Sequence, residues 1–197
     1  MSSDRETLKV YGDMADDYAA LTSGADKDPA LDTFISALPK SAHVLDLGCG
    51  PGNAAAKMAQ AGLTVDATDA AEAMVNLAGR HPGVKAWVAT FDDLTGTNLY
   101  DGIWANFSLL HAPRGTMPRH LGTLRELLRP GGMFHIGMKT GTGEKRDPLG
   151  RLYTYYTAEE LTGLLQDAGF TPFSSRTGQD KGLDGVMAAW VTITAHG

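Results

Sequence analysis

Residues 43–53 read HVLDLGCGPGN. The first five form an apolar run holding one carboxylate, Asp46, and glycines follow at positions 48, 50 and 52. An apolar run of this length bounded by turn residues reads as a buried strand. The glycines after it permit a tight turn and a close backbone approach. The next segment, NAAAKMAQAG, reads as a helix ended by Gly62. A strand, a glycine turn and a helix start are expected to bring peptide N–H groups toward a ligand.

Working outward from this unit, strand-like and helix-like segments alternate. LTVDATD, VKAWVATF and the start of YDGIWANFSLL read as strands, as does GMFHIGMK. AAEAMVNLAGR reads as a helix, and MPRHLGTLRELLRPGG reads as an amphipathic helix stopped by Pro130 and Gly131. TAEELTGLLQDAGF carries a capping box, with Thr157 followed by Glu160 three residues later. Upstream, ETLKVYGDMADDYAALT reads as one helix, and DPALDTFISAL as another with Asp28 as cap and Pro29 in its first turn. The alternation implies an α/β, doubly wound, mostly parallel sheet with helices on both faces. TPFSSRTG and VMAAWVTITAH have no helix between them and are expected to pair antiparallel at one edge. GTGEKRDPLGRL, residues 141–152, is polar and aperiodic and reads as a mobile loop at the ligand-binding edge. Residues 1–40 are expected to be a helical cap belonging to the same domain as residues 41–197.

A length of 197 residues fits one domain. The formal net charge of −6 weighs against a nucleic-acid or membrane-surface binder, which usually carries a basic face. The single cysteine, Cys49, excludes an intramolecular disulfide and fits a reducing compartment. The opening MSSDRETLKV lacks the pattern of a signal peptide, and no apolar run reaches the ~18 residues that span a bilayer, so a cytoplasmic protein is expected. The six histidines show no metal-ligand spacing, and no metal is expected.

Asp46 decides between ligands. A pyrophosphate against the glycine turn would be repelled by it, whereas an ammonium or sulfonium group would be attracted. S-adenosylmethionine carries both cations. A P-loop is ruled out because the turn has no Gly-Lys-Ser or Gly-Lys-Thr. Two further acids fall at or just past later strand ends. Asp69 suits the two hydroxyls of a ribose. Asp92, with Asp93 as the alternative, suits an adenine 6-amino group. Phe91 and Met74 offer apolar contacts to the ring.

VLDLGCGPGN resembles the glycine-rich first motif of the class I S-adenosylmethionine-dependent methyltransferases. DATDAAEAM and ATFDDL are similar to that superfamily's ribose and adenine motifs. YDGIWANFSLLHA and LRPGGMFHIG resemble its fourth- and fifth-strand segments. The resemblance covers roughly residues 5–195 and implies a Rossmann-like seven-stranded sheet with N-terminal helices over the site. It implies that Asp46 and the peptide groups of Gly48, Cys49 and Gly50 hold the methionyl end. It places Asp69 on the ribose and Ala70 and Met74 beside the adenine, with Asp92 on the amino group. The peptide around Asn106 and Phe107 would line the methionyl pocket. VYGDMADDYA resembles the opening of many small-molecule members, in which Tyr11 or Tyr18 would close over the cofactor. DAAEAM departs from the usual pattern by having Ala70 and Ala71 where relatives often have Ser or Pro, which leaves only backbone contacts there.

The implied activity is methyl transfer to a small-molecule acceptor by in-line displacement, yielding S-adenosylhomocysteine. The alternative is a non-catalytic S-adenosylmethionine-binding or regulatory protein of the same fold. A nicotinamide-dependent oxidoreductase is disfavoured by Asp46. No catalytic residue is fixed by the sequence; the candidates are His111, after the fourth strand, and Tyr18. The aromatic run at Tyr153, Tyr155 and Tyr156 reads as either an acceptor pocket or surface packing.

Overall fold

The structure is a computed structural model that describes residues 4–22, 28–182 and 184–197. The decisive stretch forms β1 (His43–Leu47), and the helix after the glycine turn is α4 (Asn53–Gln60). Upstream lie α1 (Arg5–Asp13), α2 (Ala15–Thr22) and α3 (Pro29–Ala37). Downstream, β2 (Thr64–Asp69), α5 (Glu72–Ala78), β3 (Val84–Val88), β4 (Tyr100–Asn106), α6 (Met117–Leu127) and β5 (Leu128–Lys139) follow in turn. The chain closes with β6 (Glu144–Arg146), β7 (Leu152–Thr154), α7 (Ala158–Asp167), β8 (Thr171–Lys181) and β9 (Met187–His196).

Seven strands form one sheet in the order β3-β2-β1-β4-β5-β9-β8. The first five are mutually parallel, with Asp46 beside Ala67 on β2 and Trp104 on β4. The antiparallel element expected at one edge is present: β9 runs antiparallel to β5 and to β8, which closes that edge. Successive residues of a strand face opposite sides, so β1 serves two cores. Leu45 and Leu47 pack with Ile103, Phe134 and the inner faces of α6 and α7. Val44 packs with Trp104, Leu31 and Phe34 of α3, and Met58 of α4. Asp46 lies on the α4 side, beneath that helix.

The caps read from sequence are formed. Asp28 accepts from the Ala30 N–H, and Thr157 and Glu160 make the reciprocal box. Three expectations are corrected. The single N-terminal helix is two, interrupted at Met14 (φ −110°, ψ 20°) just after Gly12 and Asp13, both weak helix formers. α6 stops at Leu127, before Pro130, because a proline forces the residue ahead of it toward extended conformations and the chain enters β5 at Leu128. Residues 141–152 are not a featureless loop: β6 pairs antiparallel with β7. The connection is held by Asp147, whose carboxylate accepts from the Leu149 and Arg151 N–H groups and from the Arg151 guanidinium. Polar partners built this turn, and hydrophobic periodicity does not register them.

Among the described residues, no helix is long and apolar enough to cross a membrane, and no group of three or more potential metal ligands occurs.

Candidate functional site

The sheet order reverses direction at β1: the chain leaves to β2 on one side and returns at β4 on the other. The loops leaving the carboxyl ends of β1 and β4 part there, opening the crevice in which open α/β sheets bind ligands. A cavity occupies it. The two loops touch at one point. Gly48 has φ +68°, and a Cβ placed on it would fall 2.3 Å from the Ser108 Cβ. Only glycine fits that approach.

Asp46 is 2 % exposed. The Ala55 N–H donates to its carboxylate, but Oδ2 is buried with no partner. Burial, opposed by that N–H and reinforced by the neighbouring Asp69 charge, pushes its pKa up to about 7. Asp69 lies on the cavity wall at the end of β2. It accepts from the Gly50 N–H (3.0 Å) and the Ala71 N–H (2.9 Å), and burial nevertheless raises its pKa. Two further buried oxygens beside the cavity, Asn106 Oδ1 and Ser108 Oγ, are also without a partner.

The expectation that the N–H groups of the glycine turn face a ligand is not met. Gly48 and Cys49 both donate to the Thr68 carbonyl, at 2.7 and 2.9 Å, and Gly50 donates to Asp69. The turn is anchored on β2 through its donors, so what Gly48 and Gly50 offer the cavity is closeness rather than N–H groups. Cys49 is buried, its thiol pKa raised by that burial, and it packs in the α4-side core.

Gly48, Gly50, Asp69, Ala70, Phe91, Asn106, Phe107, Tyr11, Tyr18 and His111 all line the cavity. Asp46, Cys49, Met74 and Asp92 do not: Asp46 lies on β1 behind the turn, beneath α4. Met74 is buried behind the wall with Ala15 and Ala71, against which Tyr11 and Tyr18 pack. Asp92 forms an ion pair with Arg119 on α6. Asp93 is turned back onto Thr90, taking its N–H and hydroxyl.

The N-terminal helices roof the cavity. The Tyr11 and Tyr18 rings meet edge to face at 5.5 Å. The Tyr11 hydroxyl is 2.9 Å from His111 Nε2, and His111 Nδ1 is 2.7 Å from the Leu152 carbonyl. A carbonyl only accepts, so Nδ1 carries the hydrogen and Nε2 accepts from the tyrosine. Burial pushes the His111 pKa down to about 4, so the ring is neutral at pH 7 with both nitrogens engaged. Arg151 Nη1 also donates to the Tyr11 oxygen, and the Leu152 N–H donates to Thr7 Oγ1. Arg146 pairs with Asp4, the N-cap of α1. The β6–β7 hairpin thereby ties α1 down over the cavity.

A second cleft lies beyond this roof. It shares Tyr11, Tyr18 and Phe107 with the first cavity and adds Lys139, Arg151, Tyr153 and Trp190. Phe107 has φ +55°, an unfavourable setting for a bulky side chain worth ~1–3 kcal/mol. Its N–H donates to the Gly137 carbonyl, which holds it there. Sequence reading did not single out Ser108, Arg151, Asp147 or Trp190 for this region. Each lies far along the chain from the glycine turn, and each joins the site through sheet order and the hairpin alone.

The family described as a methyltransferase domain matches residues 44–132, the span from β1 into β5. Trans-aconitate 2-methyltransferase of Deinococcus radiodurans is 33% identical over 141 residues, 70% of this chain and 51% of that protein. Trans-aconitate 2-methyltransferase of Delftia acidovorans is 36% identical over 107 residues, 51% of this chain and 39% of that protein. The chain thus spans about half the length, at most, of these curated relatives. Among solved structures, the 1,6-didemethyltoxoflavin-N1-methyltransferase of Burkholderia thailandensis is 27% identical with a TM-score of 0.80. The match covers 97% of this chain and 87% of that one, whose structure holds 1,6-didemethyltoxoflavin and S-adenosylhomocysteine. Together with the glycine turn, the sheet order and the acids at the strand ends, these likenesses establish that the chain belongs to the class I S-adenosylmethionine-dependent methyltransferase superfamily.

Proposed function

We propose that this chain transfers the methyl group of S-adenosylmethionine to a small-molecule acceptor by in-line displacement. The observation that carries the reading is the buried, partnerless Asp46 Oδ2, on β1 next to Leu47 and Gly48, which line the β1–β4 crevice. A buried carboxylate oxygen without a partner is expensive in a folded protein, and the ammonium of a methionyl group offers the missing charge. The residues present therefore fit the cofactor. Asp46 answers the methionyl ammonium, Asn106 and Ser108 complete that end, and Asp69 takes the ribose hydroxyls. Ala70 and Phe91 flank the base, while Met74 and the Asp92–Arg119 pair support the wall behind them.

When bound, the cofactor supplies a methyl group already activated by its sulfonium charge. The chain's contribution is then to hold the acceptor in line and exclude water. Tyr11, Tyr18 and Phe107, common to both cavities, stand where the two reactants would meet. Residues 1–40 act as the cap of a single domain with residues 41–197. The protein works in the cytoplasm without nucleic-acid or membrane partners, in keeping with its acidic charge.

Titration calorimetry with S-adenosylmethionine, S-adenosylhomocysteine and NAD tests the reading. Micromolar binding of the two sulfur ligands and none of NAD is the expected result. Binding of NAD with neither sulfur ligand would sink it.

A further inference from the structure

The second cleft carries a charge whose contact with the fold, among the described residues, is an aromatic face rather than an acid. Lys139, at the end of β5, is half-buried and lies 3.9 Å over the Tyr153 ring. It makes no hydrogen bond or ion pair among the described residues. The other charges facing this cleft have partners or reach solvent. Arg151 is almost wholly buried and held by Asp147 at 2.6 Å. Asp180 Oδ2 accepts from Trp190 Nε1 at 2.7 Å, and Lys181 is exposed. Asp184, behind the cleft, accepts from the Val186 N–H and favours the charged form of Lys139, while burial disfavours it. The walls about Lys139 are aromatic: Tyr153, Trp190 and Phe107.

Among the described residues, the roof of the first cavity presents no side chain poised to take a proton. The His111 lone pair already accepts the Tyr11 hydroxyl, and burial holds both Tyr11 and Tyr18 in their neutral forms. An alcohol or protonated amine acceptor needs such a group; an acceptor that is already an anion does not.

We propose, resting on the methyl-transfer reading above, that this cleft binds a planar, unsaturated carboxylate through Lys139 and that a carboxylate oxygen is the methyl acceptor. A lone pair of that oxygen forms the new C–O bond as the methyl's C–S bond breaks, and the electrons of the broken bond stay on sulfur. The carboxylate loses its negative charge and the sulfonium its positive one. The products are a methyl ester with one negative charge fewer than the acceptor and a thioether, with no proton released.

The test uses the full chain loaded with S-adenosylhomocysteine. Trans-cinnamate, trans-aconitate and the neutral cinnamamide are titrated calorimetrically into wild type, Lys139→Met and Lys139→Arg. At least one carboxylate should bind, and cinnamamide should bind more weakly by about tenfold, the worth of one charge-assisted contact. Lys139→Met should lose that preference and Lys139→Arg should retain most of it, with affinity for S-adenosylhomocysteine unchanged in both. Turnover with S-adenosylmethionine should give an alkali-labile ester and no proton release to an indicator in weak buffer. Equal binding of amide and acids, unchanged acid binding in Lys139→Met, or one proton released per methyl transferred overturns the inference alone. Wild type that binds no S-adenosylhomocysteine overturns the proposed function and this inference with it.

Discussion

Replacing Asp46 with asparagine removes a buried charge while keeping the shape of the side chain. The carboxylate has an ordinary value of 3.8 and is pushed up to about 7 in the fold. Between those two values the folded chain retains a proton that the unfolded chain has lost. Stability in the absence of ligand is therefore fully present below the unfolded value and falls by ~1.4 kcal/mol per pH unit as pH rises toward the folded value. Asparagine does not titrate. The stability difference between the proteins should accordingly move by about 3 kcal/mol in favour of Asp46→Asn between about pH 5 and about pH 8. Urea unfolding of both proteins at the two pH values, without ligand, measures this directly. The same variant should bind S-adenosylhomocysteine ~10- to 100-fold more weakly, since the methionyl ammonium loses a charged partner. Parallel pH dependences in the two proteins would refute the reasoning, because they would mean that Asp46 is ionised in the fold at both pH values.

Other outcomes follow from the same geometry. Asp69→Ala should weaken binding of both sulfur ligands at least about tenfold by calorimetry; unchanged affinity in a folded variant would remove Asp69 from the site. Gly48→Ala places a Cβ 2.3 Å from Ser108 at positive φ and should cost about 2–3 kcal/mol, seen as a lowered Tm. A Tm equal to wild type would show that the β1 and β4 loops are not in contact. Glu160→Ala removes the capping box of α7 and a 2.5 Å pair with Arg114, and should cost ~1 kcal/mol of stability. Its affinity for S-adenosylhomocysteine should be that of wild type, which calorimetry checks, since α7 lies away from the cavity.

Of the three acids that the sequence offers to a ligand, Asp69 keeps the placement its position suggests. It stands at a strand end and on the cavity wall. Asp92 lies beyond the end of β3 and off the cavity wall, where Arg119 on α6 claims it. The glycine turn is the sharper case. Its composition marks a close approach, and the approach is there, but its donors are spent on Thr68 and Asp69. Composition reports that a backbone can bend, whereas the direction of each N–H depends on which strand lies beside it.

Local patterning accounts for the alternation of strands and helices, the caps at Asp28 and Thr157, the glycine turn and the acids at or beyond strand ends. These are local: each follows from periodicity or spacing within a few residues, where side-chain size and backbone freedom act directly. The tertiary structure alone decided what those elements enclose. Strand order set β1 beside β4 and so pressed Gly48 against Ser108. The Asp147–Arg151 turn and the Arg146–Asp4 pair carried a polar stretch onto the first helix, closing Tyr11 onto His111. Lys139, indistinguishable in the sequence from a solvated surface charge, came to rest on an aromatic wall because β5 ends where the β6–β7 hairpin folds back. Apart from the Asp147–Arg151 turn, such contacts join residues far apart in the chain, and their energies depend on burial and on partners that no local pattern encodes.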